Sequence, residues 1–180
     1  MKKRGTFELI LCGIFAALTA VLSQILVPIG PVPINLAHIS VFTAAGLLGG
    51  RYGALSQVVF VCLGAFGVPV FAGLRGGPGV IAGPTGGFIF GFIGCAFVSG
   101  AIIHRFGTSA KALFSAMVFG MFVSYLLGVP WFMHYMGAPF SAEFVFLFLL
   151  PFIPGDALKM AASALLIRRL YPTVSKMRQA

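Results

Sequence analysis

Long apolar runs separated by short polar or glycine- and proline-rich connections organise this sequence. They cover residues 7–27, 36–50, 53–70, 81–103, 112–129 and 144–167. Each is near the ~20 residues a helix needs to cross ~30 Å of hydrocarbon, and the second is the shortest. The pattern predicts an all-α integral membrane protein: a six-transmembrane-helix bundle in a single domain over residues 1–180. An even number of crossings puts both termini on one side.

The connections differ in character. Residues 28–35, with Pro28, Pro31 and Pro33, cannot be helical. Residues 73–79 are glycine-rich and read as a flexible loop. Small residues recur at four-residue spacing, as at Ala16/Ala20, Gly46/Gly50, Gly49/Gly53, Gly83/Gly87 and Gly87/Gly91. That spacing lets helix backbones approach closely in lipid. The last run is broken by Pro151 and Pro154, with Gly155 next. A helix starting near Pro154 uses the proline in its first turn, where no N–H is needed.

Composition supports a membrane class. Hydrophobic residues make up 59% and charged residues 8% of the chain, against roughly 25% charged in a soluble domain. Of the twelve cations, ten fall on one face of the six-span arrangement: Lys2, Lys3, Arg4, Arg51, Arg105, Lys111, Arg168, Arg169, Lys176 and Arg178. The positive-inside rule makes that face, and both termini, cytoplasmic. The net charge of +9 therefore reflects topology, and nucleic acid is not expected as a partner. Lys2-Lys3-Arg4 before an apolar run imitates a secretory signal, but the run is long and five more follow it. Cys12, Cys62 and Cys95 each sit inside an apolar run at no metal-ligand spacing, so no disulfide framework is expected.

Two cations depart from the pattern, and both point to ligand chemistry. Lys159 lies inside the last run, three residues after Asp156. An ionised side chain at bilayer depth costs at least ~2.5–3.5 kcal/mol. At i,i+3 the two share one helix face and can serve one polar object together. Asp156 also falls near the predicted helix start, where the dipole favours a carboxylate. A carboxylate accepts parallel N–H donors and an ammonium donates to a carbonyl, so a cyclic urea, an amino acid or a nucleobase suits the pair. An internal ion pair that only fixes helix packing is the competing reading. The other exception is Arg75, the only cation in an outer connection; a glycine-rich loop carrying it reads either as a lid over an anionic ligand or as an ordinary exposed turn with a stray Arg. Phe71, Trp131, Tyr135 and Phe140 stand near outer span ends, either as pocket walls or as an interfacial belt.

Much chemistry is absent from the pattern. The glycine-rich stretch 73–87 contains no Gly-Lys-Ser/Thr, so the chain should not hydrolyse ATP itself. Gly77-Pro78-Gly79 lacks the third glycine of a dinucleotide fingerprint, since Ala82 occupies that place. His38, His104 and His134 are scattered, no serine sits in a nucleophile elbow, and the acids are only Glu8, Glu143 and Asp156. Neither an enzyme nor a cofactor or metal site is expected.

Four segments carry a family resemblance: Gly-Arg-Tyr-Gly-Ala at 50–54, Leu-Gly-Ala-Phe-Gly-Val-Pro-Val-Phe-Ala-Gly at 63–73, Gly-Pro-Thr-Gly-Gly-Phe at 83–88 and Pro-Phe-Ile-Pro-Gly-Asp-Ala-Leu-Lys at 151–159. They resemble BioY, the biotin-binding S components of energy-coupling factor (ECF) transporters. The resemblance implies a six-helix bundle in a bacterial or archaeal plasma membrane that captures biotin in an outward-facing pocket. It implies that Asp156 and Lys159 contact the ureido ring. Beside it, Arg75 is the candidate for the biotin carboxylate, and Thr85, Phe71 and Asn35 for further contacts. The family often has Thr-Leu-Gln where this chain has Asn35-Leu36-Ala37, followed by His38, so any contact by the usual Gln is missing: either Asn35 or His38 substitutes for it, or ligand handling differs in detail; Phe88 replaces a usual Tyr. Ala16 and Ala20 match the first-helix alanine spacing with which S components dock their coupling subunit. The implied partners are that transmembrane subunit and two ATPase subunits, which reorient the S component in the membrane. A stand-alone vitamin transporter, passive or driven by protons through Asp156, is the alternative.

Overall fold

A computed structural model of the chain describes residues 2–27, 34–138 and 141–179. The first helix, α1 (Lys2–Ser23), is followed by a two-residue antiparallel ribbon, β1 (Leu26–Val27) with β2 (Ile34–Asn35), in the register Leu26↔Asn35 and Val27↔Ile34. The proline-rich connection thus closes a hairpin, although residues 28–33 themselves lie outside the described residues. Then come α2 (Ala37–Ala65), the single turn α3 (Pro78–Ile81), α4 (Gly86–Phe106), α5 (Ala110–Met136), α6 (Ala142–Leu149) and α7 (Phe152–Gln179). Among the described residues, α1 from Gly5, α2, α4 and α5 are long and apolar enough to cross a membrane by composition.

The second and third apolar runs both fall mostly within α2, which is broken at Gly49. Gly49 has φ 80° and ψ 178°, a left-handed value that favours glycine. Residues eight apart in a straight helix stand ~12 Å apart at 1.5 Å rise. Yet a Cβ built on Gly53 would lie 2.9 Å from the Ala45 Cα. The halves 37–48 and 50–65 therefore run back to back in opposite directions, and the glycine at 53 is what lets them touch. Gly100 of α4 closes on the same turn, where an added Cβ would come 2.5 Å from the Gly50 nitrogen.

The ends of the bundle are fixed by polar contacts. Arg178 near the end of α7 places Nε 2.6 Å from Oε1 of Glu8 on α1. Its Nη2 donates to the Leu47 carbonyl beside the Gly49 turn at 2.9 Å. The start of α1, the end of α7 and the Gly49 turn thus share one end. The opposite end holds the ribbon and the 66–85 connection. There the Ser23 hydroxyl donates to Val70 O (2.6 Å), and Gln24 Nε2 donates to the carbonyls of Val70 (3.0 Å) and Phe71 (3.1 Å). Gln24 Oε1 accepts from the Leu74 N–H at 2.8 Å.

The last apolar run divides as its prolines require. The helix stops at Leu149, and Leu150 and Pro151 form a turn. The next helix begins at Phe152, with Pro154 in its first turn. It continues past residue 167 to Gln179, because its basic C-terminal part packs back toward α1 through Arg178 and Val174.

The alanines at four-residue spacing on α1 lie on its inner side. Ala16 is 1% exposed and belongs to the main core with Val41, Phe42 and Phe60, and Ala20 packs against that core. Ala16 therefore faces the bundle, and Ala20 is partly exposed beside it. The small residues on the outward face of α1 are Gly13 and Ala17, among Ile10, Ile14 and Val21. A Cβ at Gly13 would meet nothing within 4 Å.

The close approach at Gly100 sets a stability test. Gly100→Ala is expected to destabilise the protein by about 1–3 kcal/mol, since the methyl meets rigid backbone. Thermal unfolding of the detergent-solubilised protein, followed by loss of the monodisperse species, checks this; an unchanged midpoint would contradict the packing described.

Candidate functional site

A cavity of about 270 Å³ opens at the ribbon end, close to the small end of the ~300–1,000 Å³ range of ligand pockets. Its walls come from α1 to α5, from α7 and from the connections between them. Ser23 closes α1, Asn35 and His38 flank the start of α2, and Phe60 comes from its second half. Phe71, Gly73 and Arg75 come from the connection after α2; Thr85, Phe88, Ile89 and Phe92 from the start of α4. Tyr125 projects from α5, and Phe152, Asp156 and Lys159 from the first turns of α7.

The connection that carries Arg75 is hydrogen-bonded on itself and to α1, so the flexible lid expected from its glycines is a clamped turn. Phe71 N–H donates to Arg75 O at 2.9 Å, and Arg75 N–H donates to Phe71 O at 3.2 Å. Gly73 (φ 74°) and Leu74 (φ 55°) make the reversal between them. The Phe71 ring lies directly on Gly64, where an added Cβ would strike it, and meets Phe60 edge-on at 5.5 Å. These contacts bury Phe71 and leave Arg75 exposed at the mouth.

The deep end is polar. Lys159 Nζ donates to Asp156 Oδ1 at 2.9 Å, and the two side chains are only 5% and 6% exposed. The Tyr125 hydroxyl donates to Asp156 Oδ2. A carboxylate has about four acceptor positions, so two are taken and two remain. Lys159 has further N–H groups beyond the one given to Asp156. Asp156 is the fifth residue of α7, where the helix N-terminus adds favourable potential. This end can therefore hold a flat group with N–H donors beside an acceptor, while Phe60, Phe71, Phe88, Phe92 and Phe152 supply apolar walls.

The sequence-derived candidates converge. Asp156, Lys159, Arg75, Thr85, Phe71 and Asn35 all line this one cavity. Thr85 precedes α4 and makes no capping hydrogen bond with its hydroxyl. Asn35 Oδ1 accepts from Ala37 N–H at 3.1 Å, which starts α2 and leaves its NH2 group to donate. Trp131 supports the wall from behind, with Nε1 donating to Gly83 O at 2.8 Å. Tyr135 is exposed, and Phe140 lies outside the described residues. Sequence reasoning missed Tyr125 and the phenylalanine walls at 60, 92 and 152. Tyr125 had a legible signal: it is a hydroxyl in the middle of the apolar run 112–129, and a buried tyrosine hydroxyl needs a partner.

A family profile described as the BioY family matches residues 1–176. This chain belongs to the BioY family. Among BioY relatives, the "Biotin transporter BioY" of Thermotoga maritima is 42% identical over 166 residues, covering 91% of this chain and 95% of that protein. The "Probable biotin transporter BioY" of Pyrococcus horikoshii is 40% identical over 163 residues, with 91% and 95% covered. A crystal structure of "the S-component for biotin from an ECF-type ABC transporter" superposes with a TM-score of 0.85 at 29% identity, covering 94% of this chain and 93% of the other. The BioY fold thus extends over nearly the whole chain, including the cavity-lining elements.

Breaking a buried ion pair leaves an uncompensated charge, whereas replacing both partners by apolar groups does not. Asp156→Leu and Lys159→Met are each expected to lower stability by about 3–5 kcal/mol, and the double variant to be less destabilised than either. Thermal melts of the ligand-free proteins decide it; additive losses in the double variant would contradict a coupled pair.

Proposed function

We propose that this chain is the substrate-capturing membrane subunit of a biotin uptake transporter. It takes biotin from outside the cell for ATP-driven import by partner subunits. The observation that carries this reading is the buried Asp156–Lys159 pair at the deep end of an otherwise aromatic cavity. The names of the BioY relatives and of the superposed S component support biotin as the ligand.

In this reading the ureido N–H groups donate to the free positions on Asp156, and the ureido carbonyl accepts from Lys159. The fused rings and aliphatic tail lie among Phe60, Phe71, Phe92 and Phe152. The valerate carboxylate reaches the mouth, where Arg75 meets it with help from the Thr85 hydroxyl and the Asn35 NH2. The chain crosses the plasma membrane six times as one domain, with α2 contributing two crossings through its reversal at Gly49. Both termini face the cytoplasm, in keeping with the ten cations at that end.

With no phosphate-binding loop of its own, the chain depends on a transmembrane coupling subunit and two ATPase subunits. The outward face of α1 around Gly13 and Ala17 is the docking surface in place of Ala16 and Ala20, because a small residue there lets a partner helix approach.

Titration calorimetry of the purified chain tests the ligand. Wild type is expected to bind biotin stoichiometrically. Two charge-assisted hydrogen bonds at ~1.5–3 kcal/mol each put the loss in Asp156→Asn at about 100-fold or more. Arg75→Gln is expected to weaken biotin about tenfold while leaving the carboxamide of biotin unaffected. Wild type that binds no biotin, or Asp156→Asn that binds as well as wild type, would falsify the assignment.

The docking face has its own test. Gly13→Leu is expected to abolish co-purification with the coupling subunit and ATP-driven uptake while biotin affinity stays unchanged. Retained assembly in that variant removes the α1 surface from the proposal.

A further inference from the structure

His38 occupies an unusual position in the cavity. It is the second residue of α2 and lines the same cavity as Asp156 and Lys159. Its side chain is held between two rings, edge-on to Phe92 at 4.8 Å and tilted against Phe42 at 5.8 Å. The residue is only 8% exposed, and its Nε2 is buried with no hydrogen-bond partner among the described residues. Buried polar atoms are normally paired, and an exception calls for an explanation. Packing alone supplies none here, since a phenylalanine would fill the slot between Phe42 and Phe92 without burying an unpaired nitrogen.

The chemistry of the deep end suggests what completes it. Asp156 supplies the acceptors there, and they match the N–H groups of a cyclic urea. A ureido carbonyl has two lone pairs, and Lys159 can fill one. The second needs another donor on the same side of the ligand. Tyr125 is not free for this, because its hydroxyl hydrogen goes to Asp156. His38 lines the same cavity, and with its hydrogen on Nε2 a turn of its ring would present a neutral donor to a ligand there.

We infer that His38 is a specificity-determining residue that donates from Nε2 to the ureido carbonyl of the bound ligand, opposite Lys159. The inference rests on the biotin reading and deepens it. It makes the site a reader of the carbonyl oxygen: a ligand carrying N–H in that place presents a donor to two donors and is rejected. Both lone pairs of the carbonyl are then satisfied at a depth where no bulk water replaces them, which is the condition for strong discrimination.

The experiment uses the full-length purified chain and two probes, biotin and 2-iminobiotin, in which C=NH replaces the ureido C=O. Affinities are measured for wild type, His38→Phe, His38→Ala and His38→Gln, with elution profile and ligand-free melting temperature as controls for folding. His38→Phe keeps the ring contacts with Phe42 and Phe92 and removes only the donor, so it carries the test even where His38→Ala fails to fold. The expected result is at least a tenfold loss of biotin affinity in His38→Phe, a smaller loss in His38→Gln, whose NH2 still donates, and a narrower preference for biotin over 2-iminobiotin in His38→Phe. A purely structural role would weaken both probes alike and leave the preference unchanged. Equal weakening of the two probes, or wild-type biotin affinity in His38→Phe, overturns the inference while leaving the biotin reading intact. Failure of wild type to bind biotin overturns both, and is read directly from the first titration.

Discussion

A carboxylate and an ammonium buried together inside the helix bundle govern the rest of this molecule. Either charge alone is costly to place in an apolar interior. Each has the other at 2.9 Å, Asp156 also has the Tyr125 hydroxyl, and the start of α7 adds its dipole. Those supports demand specific architecture. The helix must begin one turn before Asp156, which the Leu150–Pro151 break brings about. A neighbouring helix must bring a hydroxyl to the far oxygen, which α5 does. The remaining acceptor and donor positions require a cavity instead of lipid, and the phenylalanines of α2, α4 and α7 enclose one.

Glycine makes that enclosure possible in a small chain. The reversal at Gly49 turns one stretch of sequence into two antiparallel helical segments with no connecting loop, and Gly53 and Gly100 allow backbone contact on either side of it. Gly86 and Gly87 do the same at the opposite end, where added Cβ atoms would strike Ile81 O and Leu127 O. Close helix contact in lipid depends on van der Waals packing because apolar burial gives little drive there. The glycines therefore hold the bundle together as much as they shape its turns. Gly64 plays a different part, because it receives the Phe71 ring and so anchors the connection that sets Arg75 at the cavity mouth.

The molecule divides its surfaces by chemistry. Polar groups at the ribbon end converge on one cavity, and Ser23 and Gln24 tie the end of α1 to the rim of that cavity. At the opposite end Glu8 and Arg178 join the start of α1 to the end of α7. Between them α1 presents one face to the core and another outward, and both faces contain small residues at four-residue spacing. Ala16 and Ala20 face inward while Gly13 and Ala17 face out. Spacing alone is the same for the two pairs, so only packing distinguishes them.

The amino-acid sequence by itself determined the membrane class and the helical fold, and it marked Asp156 and Lys159 as charges that need partners, because each follows from local chemistry: apolar run length, proline breaks, and the cost of burying a charge. It also singled out Arg75, Thr85, Phe71 and Asn35, which prove to share one cavity. Tertiary structure decided what depends on contacts between distant segments. That Tyr125, thirty-one residues before Asp156, meets its carboxylate is a matter of how α5 lies against α7. That 36–70 doubles back at Gly49 follows from one left-handed glycine among many that could have served. That the glycine-rich loop is clamped follows from Gln24, fifty residues before Leu74. A side chain's type is written in the sequence, but its partners exist only once the helices have packed.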